Sequence, residues 1–160
     1  MTKLHEVPVT AIINKDGKYL IIRRSKTEKK FPGMWAVPGG RLEFSDYKDL
    51  PKDTNHHWFN VVEKTLRREI EEEVGLQVDN IDYLTSLAMM VGEYPSLILS
   101  FTADYKSGEV TLLEEELDKA EWVTLEEAKE YNLIEGIYDQ LVMANDYEKR
   151  IKDDLKKNNI

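Results

Sequence analysis

The segment that most constrains the fold lies between Asn60 and Gly75, where apolar residues recur every fourth position. At about 100° per residue these side chains share one stripe of a helix, which must be buried against another layer. The spacing predicts a helix from Asn60 to Val74, with Asn60 and Glu63 as a capping box and Gly75 ending it. The stripe consists of Val62, Leu66, Ile70 and Val74.

The end of this helix carries four glutamates, although like charges four positions apart cost about 0.2–0.5 kcal/mol per pair. Glu73 falls inside the apolar stripe and Glu69 on its border, while Glu72 lies further out on the same side. These three share an arc of about 100°, whereas Glu71 lies beyond the opposite border and is expected to face solvent. Buried carboxylates lose their hydration, so Glu69 and Glu73 need a partner.

Two partners are consistent with the residues. Arg68 can pair with one glutamate, and a bare glutamate run is otherwise typical of a solvated acidic face. A divalent cation can neutralise more, because carboxylates at i, i+3 and i+4 can converge on one point. The chain has no cysteine, and oxygen ligands suit Mg²⁺ or Mn²⁺ better than Zn²⁺.

The rest of the chain indicates strands around this helix. A hairpin is predicted from Val7–Ile13 and Tyr19–Arg24, and two longer strands from Ile81–Val91 and Leu97–Tyr105. Thr124 and Glu127 have capping-box spacing for another helix. Strands first, with helices in the middle and at the end, favour an α+β or α/β/α sandwich. Shorter extended pieces are expected at 35–37, 41–43, 110–113 and 121–124, and a last helix from Ile134 towards Lys152.

Composition limits the class of protein. The 160 residues carry a formal charge of −9, which argues against binding a nucleic-acid polymer through a basic surface. The first residues resemble no secretory signal, and no apolar run is long enough to cross a membrane. We therefore expect a cytoplasmic protein without a membrane segment, with one domain over residues 1–150 and a frayed tail over 151–160.

Two motifs give the chain a family resemblance. Residues 68–76, REIEEEVGL, resemble the second half of the Nudix box, R-E-U-x-E-E-x-G-U with U apolar, and match each fixed position. Residues 35–40, WAVPGG, are similar to the W-x-x-P-G-G that leads into this box. The similarity extends over roughly residues 5 to 145, with the box at 40–76. It implies a Nudix-type α/β/α sandwich with a mixed central sheet.

The chain departs from the family pattern in two places. The family places a glutamate six residues after the opening glycine, and Asp46 stands there. Residues 47–67 number 21, which is 14 more than the seven that the family pattern allows before Arg68. The insertion, about 47–60, contains His56, His57, Trp58 and Phe59, and the two histidines are more typical of plain surface.

The resemblance implies metal-dependent cleavage of a nucleoside diphosphate linked to another group, by attack of water on phosphorus. It assigns Glu69, Glu72 and Glu73 as ligands of Mg²⁺ or Mn²⁺, together with the carbonyl of Gly39. It also gives Arg68 the role of orienting Glu69. A further glutamate from 114–116 is expected to act as a ligand or base, and we favour Glu116. Whether Glu69 or Glu116 is the general base stays open, with Glu69, Arg68 and Glu72 as the catalytic set.

Three residues are candidates for binding substrate, each with an alternative. Arg24 resembles a phosphate-contacting arginine, although surface charge explains it equally. Trp35 lines either the nucleoside pocket or the core. Trp58, with Phe59, forms either a lid that stacks on a base or a contact with the start of the helix.

The leading hypothesis is a Mg²⁺-dependent hydrolase of a nucleoside triphosphate or a related nucleotide. Nucleotide sugars, ADP-ribose and dinucleoside polyphosphates are alternative substrates, because residues outside the box select the substrate. A non-catalytic Nudix-fold sensor is a different class, which is expected to have lost box glutamates. A nucleotide-type small molecule is the expected partner, and a homodimer is a possible assembly.

Overall fold

The computed structural model describes residues 4–158. A seven-stranded mixed sheet lies between two helices, one on each face. The predicted α/β/α sandwich with a mixed central sheet is therefore confirmed. In chain order the elements are β1 (Pro8–Lys15), β2 (Lys18–Arg24), β3 (Trp35–Ala36), β4 (Gly39–Arg41), α1 (Val61–Val74), β5 (Gln77–Val91), β6 (Tyr94–Ser107), β7 (Leu117–Val123) and α2 (Ile137–Lys157), with short 3₁₀ turns at Phe44–Asp46 and Glu127–Glu130.

Strand β1 organises the sheet. The main order is β3-β2-β1-β6-β5, with β4 pairing β1 and β7 pairing β2. The β1–β6 pair is parallel, and every other strand pair is antiparallel among the described residues. Because β4 pairs with the first residues of β1, from Pro8 to Thr10, the segment that follows β3 is brought onto the centre of the sheet.

Alternation along the strands divides the interior into two cores. On one face, Val9, Ala11 and Ile13 of β1 pack beneath α1; on the other, Ile12 packs beneath α2. The stripe predicted for α1 is confirmed for Leu66, Ile70 and Val74, which are fully buried, while Val62 is partly buried against the same core. The burial of this stripe fixes the direction in which the glutamates of α1 point.

Both ends of α1 were predicted, and one prediction is wrong. Gly75 has φ 70° and its N–H bonds the Glu71 carbonyl, as expected of a left-handed C-terminal residue. Asn60 makes no side-chain cap; it has φ 57°, and its carbonyl accepts from the Lys64 N–H. The side chain of Glu63 is unavailable for a capping box because it pairs with Arg67 at 3.1 Å.

The segment 110–113 was predicted to be extended but forms no strand. Its backbone instead bonds the end of α1: the Thr111 N–H donates to the Val74 carbonyl and the Leu113 N–H to the Glu73 carbonyl, both at 3.0 Å. Carbonyls in the last turn of a helix lack partners within the helix, and this segment supplies them. The connection before β7 is thereby tied to the glutamate end of α1.

The last part of the chain differs from expectation in extent. The Thr124–Glu127 capping box is present, with bonds of 2.8 and 3.2 Å, but it opens only a 3₁₀ turn. Helix α2 continues to Lys157, so most of the expected frayed tail over 151–160 is helical, and residues 159–160 lie outside the described part. Neither helix within residues 4–158 has the length and apolar character needed to cross a membrane.

Candidate active site

The diglycine turn between β3 and β4 lies directly against α1. A Cβ on Gly39 would overlap the Val9 carbonyl and the Thr10 side chain of β1. A Cβ on Gly40 would overlap the side-chain carboxylate of Glu69. The two glycines are therefore required by packing on opposite sides of the turn. Their lack of side chains lets the backbone of β4 lie beside the acidic end of α1.

Glu73 is the buried carboxylate of this site. Its residue is 9% exposed, and its Oε2 accepts a hydrogen bond from the Gly39 N–H at 2.9 Å. The pKa of Glu73 is raised to about 8, chiefly by burial; the hydrogen bond from Gly39 opposes the shift, and the negative charges of Glu116 and Glu69 add to it. A carboxylate in these surroundings binds a cation more readily than it bears a free charge.

Arg68 joins three acidic side chains. Its Nη1 donates to Glu72 at 2.7 Å, and its Nη2 donates to Asp46 at 2.7 Å and to Glu69 at 2.9 Å. Burial raises the pKa of the half-buried Glu69, and the positive charge of Arg68 opposes this shift. The predicted contact of Arg68 with Glu69 and its alternative, an i,i+4 pair with Glu72, are thus both present. The guanidinium therefore faces an oxygen of each of these two glutamates.

Asp46 stabilises this arrangement from outside α1. Its Oδ2 accepts from the Glu43 N–H at 2.8 Å and from the Thr65 hydroxyl at 3.3 Å, while Oδ1 faces Arg68. The shorter aspartate therefore reaches the arginine despite standing in place of the expected glutamate. The 3₁₀ turn at Phe44–Asp46 brings its carboxylate close enough to do so.

The carboxylates of Glu69, Glu72 and Glu73 on α1 accept hydrogen bonds from other groups of the protein. Glu69 and Glu72 face Arg68, and Glu73 faces Gly39. Within residues 4–158, no three acidic or histidine side chains are already gathered closely enough to enclose a metal ion. The predicted convergence of the three glutamates on one point is not present in these side-chain orientations. Glu71 is exposed, as expected from its place on the helix.

The donor set nevertheless fits a divalent cation of the Mg²⁺ class. Every acidic group at the site offers oxygen, the ligand atom that Mg²⁺ and Mn²⁺ prefer. The raised pKa of Glu73 reflects burial next to other negative charges, and a bound cation would offset both effects. For Glu69 and Glu72 to offer these oxygens to a cation, their side chains would have to turn away from Arg68.

Two predicted residues outside α1 lie beside Glu73. The carboxylate of Glu116 raises the pKa of Glu73, and the positive charge of Arg24 lowers it. The Glu116 carbonyl accepts from the Ser25 N–H at 2.7 Å, which ties the loop before β7 to the end of β2. Arg24 itself is held by Glu28 and by the Lys30 carbonyl, both at 2.7 Å.

Trp35 was predicted either to line the nucleoside pocket or to pack in the core, and it lies in the core. It is 8% exposed and lies in the α2-side core, where its ring meets Tyr131 edge to face at 4.9 Å. The guanidinium of Arg23 lies 5.9 Å from the ring centre on the same side of the sheet. Little of the indole surface is left to line a pocket.

The insertion, residues 47–60, packs largely on itself. The Trp58 indole N–H donates to the Leu50 carbonyl at 2.9 Å, and its ring lies 5.3 Å from that of Tyr47. Phe59 stacks on His57 and is 53% exposed, so it does not form a hydrophobic staple with α1. The histidines are exposed, and His57 contacts Thr54 at 2.9 Å. The insertion is thus an ordered surface loop that starts from Asp46.

Sequence reasoning did not identify two parts of this site. Thr65 was not singled out, although its spacing three residues before Arg68 places both side chains on one side of α1. The contact of Gly40 with Glu69 joins residues 29 positions apart, and no local pattern indicates it. The position of Gly40 in the diglycine pair was the available signal, since paired glycines mark close approach of the backbone.

The fold and this site define a class: a sandwich in which a glutamate-rich helix faces a diglycine turn. The family model of the NUDIX domain matches residues 3–142. The chain therefore belongs to the Nudix family, as its box motif indicated.

Two kinds of curated relative illustrate this membership. The chain is 41% identical over 129 residues to a protein of Pseudomonas aeruginosa named NAD-capped RNA hydrolase NudC, covering 77% of this chain and 39% of that protein. It is 30% identical over 140 residues to nucleoside triphosphatase NudI of Klebsiella pneumoniae, covering 78% and 86%. The chain thus spans about two fifths of the length of the NudC protein and most of that of NudI.

Solved structures share the fold at lower identity. A MutT NUDIX hydrolase from Burkholderia pseudomallei matches with a TM-score of 0.70 at 22% identity, covering 88% of this chain and 98% of that one. The NUDIX domain of Shewanella oneidensis NrtR, solved with ADP ribose, matches with a TM-score of 0.66 at 17% identity, covering 94% and 90%. At these identities the similarity supports the fold alone.

Gly40→Ala tests the close approach of β4 to α1. The added methyl would overlap the Glu69 carboxylate, so we expect a loss of about 1–3 kcal/mol in unfolding free energy. We also expect kcat/KM to fall about 10–100-fold, as when the support of a metal ligand is removed. Gly17→Ala is the control: Gly17 has φ 79° and no atom within 4 Å of the added carbon. It should cost about 1–2 kcal/mol and leave kcat/KM unchanged. Full activity of Gly40→Ala would contradict the role of this contact.

Glu73→Gln tests the burial of the carboxylate in metal-free protein. The pKa of Glu73 is about 8 in the folded state against an ordinary 4.5, so between these values the folded state holds the proton more tightly. The unfolding free energy of the wild type should therefore fall as pH rises through this window. The glutamine variant lacks this titration, so the difference between its unfolding free energy and that of the wild type should increase in its favour as pH rises. Urea unfolding with a chelator at several pH values measures this, and parallel curves would contradict the shift.

Proposed function

We propose that this protein hydrolyses the diphosphate linkage of a nucleoside triphosphate or a related nucleoside diphosphate derivative, by attack of water on phosphorus, with Mg²⁺ or Mn²⁺ as cofactor. The observation that carries the proposal is the buried Glu73 carboxylate, held against the diglycine turn and flanked by Glu69 and Glu116. Membership of the Nudix family and the names of the two relatives support this reaction class.

In this proposal each acidic residue has a distinct task. Glu69, Glu72, Glu73 and Glu116 would hold the cation together with the carbonyl of Gly39. When bound, a divalent cation would supply acidification of a water and stabilisation of charge on the leaving phosphate. Arg68 keeps Glu69 and Glu72 oriented, and Asp46 keeps Arg68 in place. Glu69 or Glu116 takes the proton of the attacking water, and both lie near Glu73.

Substrate recognition in this proposal involves residues around the acidic site. Arg24 is close enough to Glu73 to affect its pKa, so its guanidinium can bind a phosphate there. Trp58 offers an aromatic surface for a base in the insertion, which begins at the residue that holds Arg68. Trp35 is buried in the α2-side core, so in this proposal it supports the sheet and does not contact the substrate. A nucleotide-type small molecule and a cytoplasmic location remain part of the proposal.

A hydrolysis screen with Mg²⁺ or Mn²⁺ tests the reaction. The panel contains nucleoside triphosphates, nucleotide sugars, ADP-ribose, dinucleoside polyphosphates and NAD, with NAD-capped RNA added because one relative carries that name. We expect cleavage of at least one diphosphate linkage, with products identified by chromatography, and loss of activity with a chelator. No cleavage across the panel, or full activity with the chelator, would overturn the proposal.

Glu72→Gln and Glu71→Gln form a matched pair on the same helix. Glu72 is assigned to the cation and Glu71 to solvent, although both are exposed glutamates next to each other. Glu72→Gln should lower kcat/KM by at least the 10–100-fold that altered support of a metal ligand costs. Glu71→Gln should leave it within twofold. Thermal unfolding of both variants should be close to that of the wild type. Equal activities would remove the reason for assigning Glu72 to the cation.

Trp58→Ala tests whether the insertion contacts substrate. If the indole stacks on a base, KM should rise by a factor that matches about 1–3 kcal/mol of lost stacking, with kcat and the Mg²⁺ requirement retained. Phe59→Ala, in the next and more exposed ring, is the control for disturbing the loop. Steady-state kinetics on the substrate found in the screen provide the measurement. Unchanged KM in Trp58→Ala would assign the ring to loop packing alone.

A further inference from the structure

The loop that joins β2 to β3, residues 25–34, contains a residue with a strained backbone. Phe31 has φ 52°, in the left-handed region. Among the described residues, the other non-glycine residues with positive φ are Asp16, Asn60 and Asn80, and aspartate and asparagine tolerate this region. A bulky side chain there is an outlier that costs stability, and such outliers cluster at sites that bind ligands.

The ring of Phe31 takes no part in either core of the protein. The chain has four phenylalanines, and Phe44, Phe59 and Phe101 each lie next to another aromatic ring. Within residues 4–158, no aromatic ring or cationic group lies against Phe31. Its side chain is 41% exposed. The strained backbone therefore holds a ring at the surface, where no core packing explains it.

The loop is fixed around Arg24, the last residue of β2. The Arg24 N–H donates to the Met34 carbonyl at 2.9 Å, and the Arg24 carbonyl accepts from the Gly33 N–H at 3.0 Å. The Arg24 Nε donates to the carbonyl of Lys30, the residue before Phe31, at 2.7 Å. The segment that carries Phe31 is thus bonded on both sides to one residue.

The turn that follows Phe31 makes this segment stiffer. The Met34 N–H donates to the Phe31 carbonyl at 3.2 Å, and Gly33 has φ 69°. With Pro32 between Phe31 and Gly33, the segment has the residues and the positive φ of a type II turn. Proline fixes its own φ and restricts the residue before it, so Phe31 has little freedom to relax.

The same loop adjoins the acidic site. Ser25, its first residue, donates its N–H to the Glu116 carbonyl at 2.7 Å. The guanidinium of Arg24 uses its Nε for Lys30 and its Nη2 for Glu28, and among the described residues its Nη1 has no acceptor. A phosphate oxygen is an acceptor that suits this nitrogen. The loop thus joins an exposed ring to an arginine that has a donor left for a phosphate.

We propose that Phe31 selects the substrate: its ring stacks on the base of the nucleotide whose phosphate Arg24 binds. This inference rests on the proposed function and deepens it. Stacking requires only an exposed ring, because every base has a flat aromatic face. Since the loop is fixed before the nucleotide arrives, little conformational entropy is lost on binding. Trp58 lies on a different loop, and its variant tests a separate contact.

Phe31→Leu and Phe31→Tyr separate the aromatic ring from the rest of the side chain. Both variants have the same backbone constraint, but only tyrosine keeps an aromatic face. On the substrate found in the screen, KM of Phe31→Leu should rise at least about fivefold, as expected for loss of a stacked base, with kcat and the Mg²⁺ requirement retained. Phe31→Tyr should stay within about twofold of the wild type.

Tyr83→Leu is the matched control for loss of an exposed ring. Tyr83 is 58% exposed on β5, which lies at the opposite edge of the sheet from β3, and its KM should stay within about twofold. A smaller rise of KM in Phe31→Leu, or an equal rise in Phe31→Tyr, would overturn the stacking role. If the wild type cleaves no member of the panel, the proposed function fails instead, so the two failures are distinguishable.

Phe31→Gly and Phe31→Ala test the backbone conformation without reference to activity. Neither has a ring, but glycine adopts a positive φ without the steric cost that alanine bears. The Tm of Phe31→Gly should therefore exceed that of Phe31→Ala by about 2–4 °C. Lys29→Gly and Lys29→Ala, in the same loop but without a positive φ, should melt in the reverse order. A Tm of Phe31→Gly at or below that of Phe31→Ala would overturn the fixed placement of the ring, and the proposal with it.

Discussion

The contact on which the site depends is the approach of the Gly39–Gly40 backbone to α1. The Gly39 N–H is a hydrogen-bond donor to a carboxylate that has lost most of its water, and Gly40 leaves room for Glu69. On the far side, Gly39 lies against β1. The turn is thus held between the central strand and the helix: a side chain on Gly39 would overlap the backbone of β1, and one on Gly40 would displace the Glu69 carboxylate.

The repulsion within the glutamate run is offset in part by the chain itself. Arg68 contacts two of the glutamates and is fixed by Asp46, so its one positive charge is shared among three acids. Glu73 lies beyond its reach and retains a raised pKa. A protein that gained only stability from this helix would replace Glu73 with an apolar residue, since the position is in the buried stripe. The proposed cation would give the charge at this buried position a partner.

The features predicted correctly from the sequence are those that depend on periodicity and on a local motif. The stripe of α1 forecast the burial of Leu66 and Ile70, and the helical wheel separated Glu71 from Glu73. Contacts between segments far apart in the chain were harder to predict from the sequence. The 110–113 segment has residues suited to a strand, but the unpaired carbonyls at the end of α1 take its N–H groups. Asn60 suited a cap by type, but its backbone has φ 57° and its side chain makes no cap bond. For 110–113, contact with a distant segment overrode the local preference.

The 14-residue insertion is tolerated inside the box because both of its ends are fixed by other contacts. Asp46 is bound to Arg68 and Thr65, and the Asn60 carbonyl already accepts the first helical bond of α1. The entropy of closing a loop grows only slowly with length, so added residues between two fixed points cost little. The same link has a functional consequence. Asp46, the residue before the insertion, contacts Arg68, and Arg68 contacts Glu69 and Glu72. In the proposed reaction, a substrate bound by this loop would therefore lie against a segment whose first contact is with the residues that orient the acidic site.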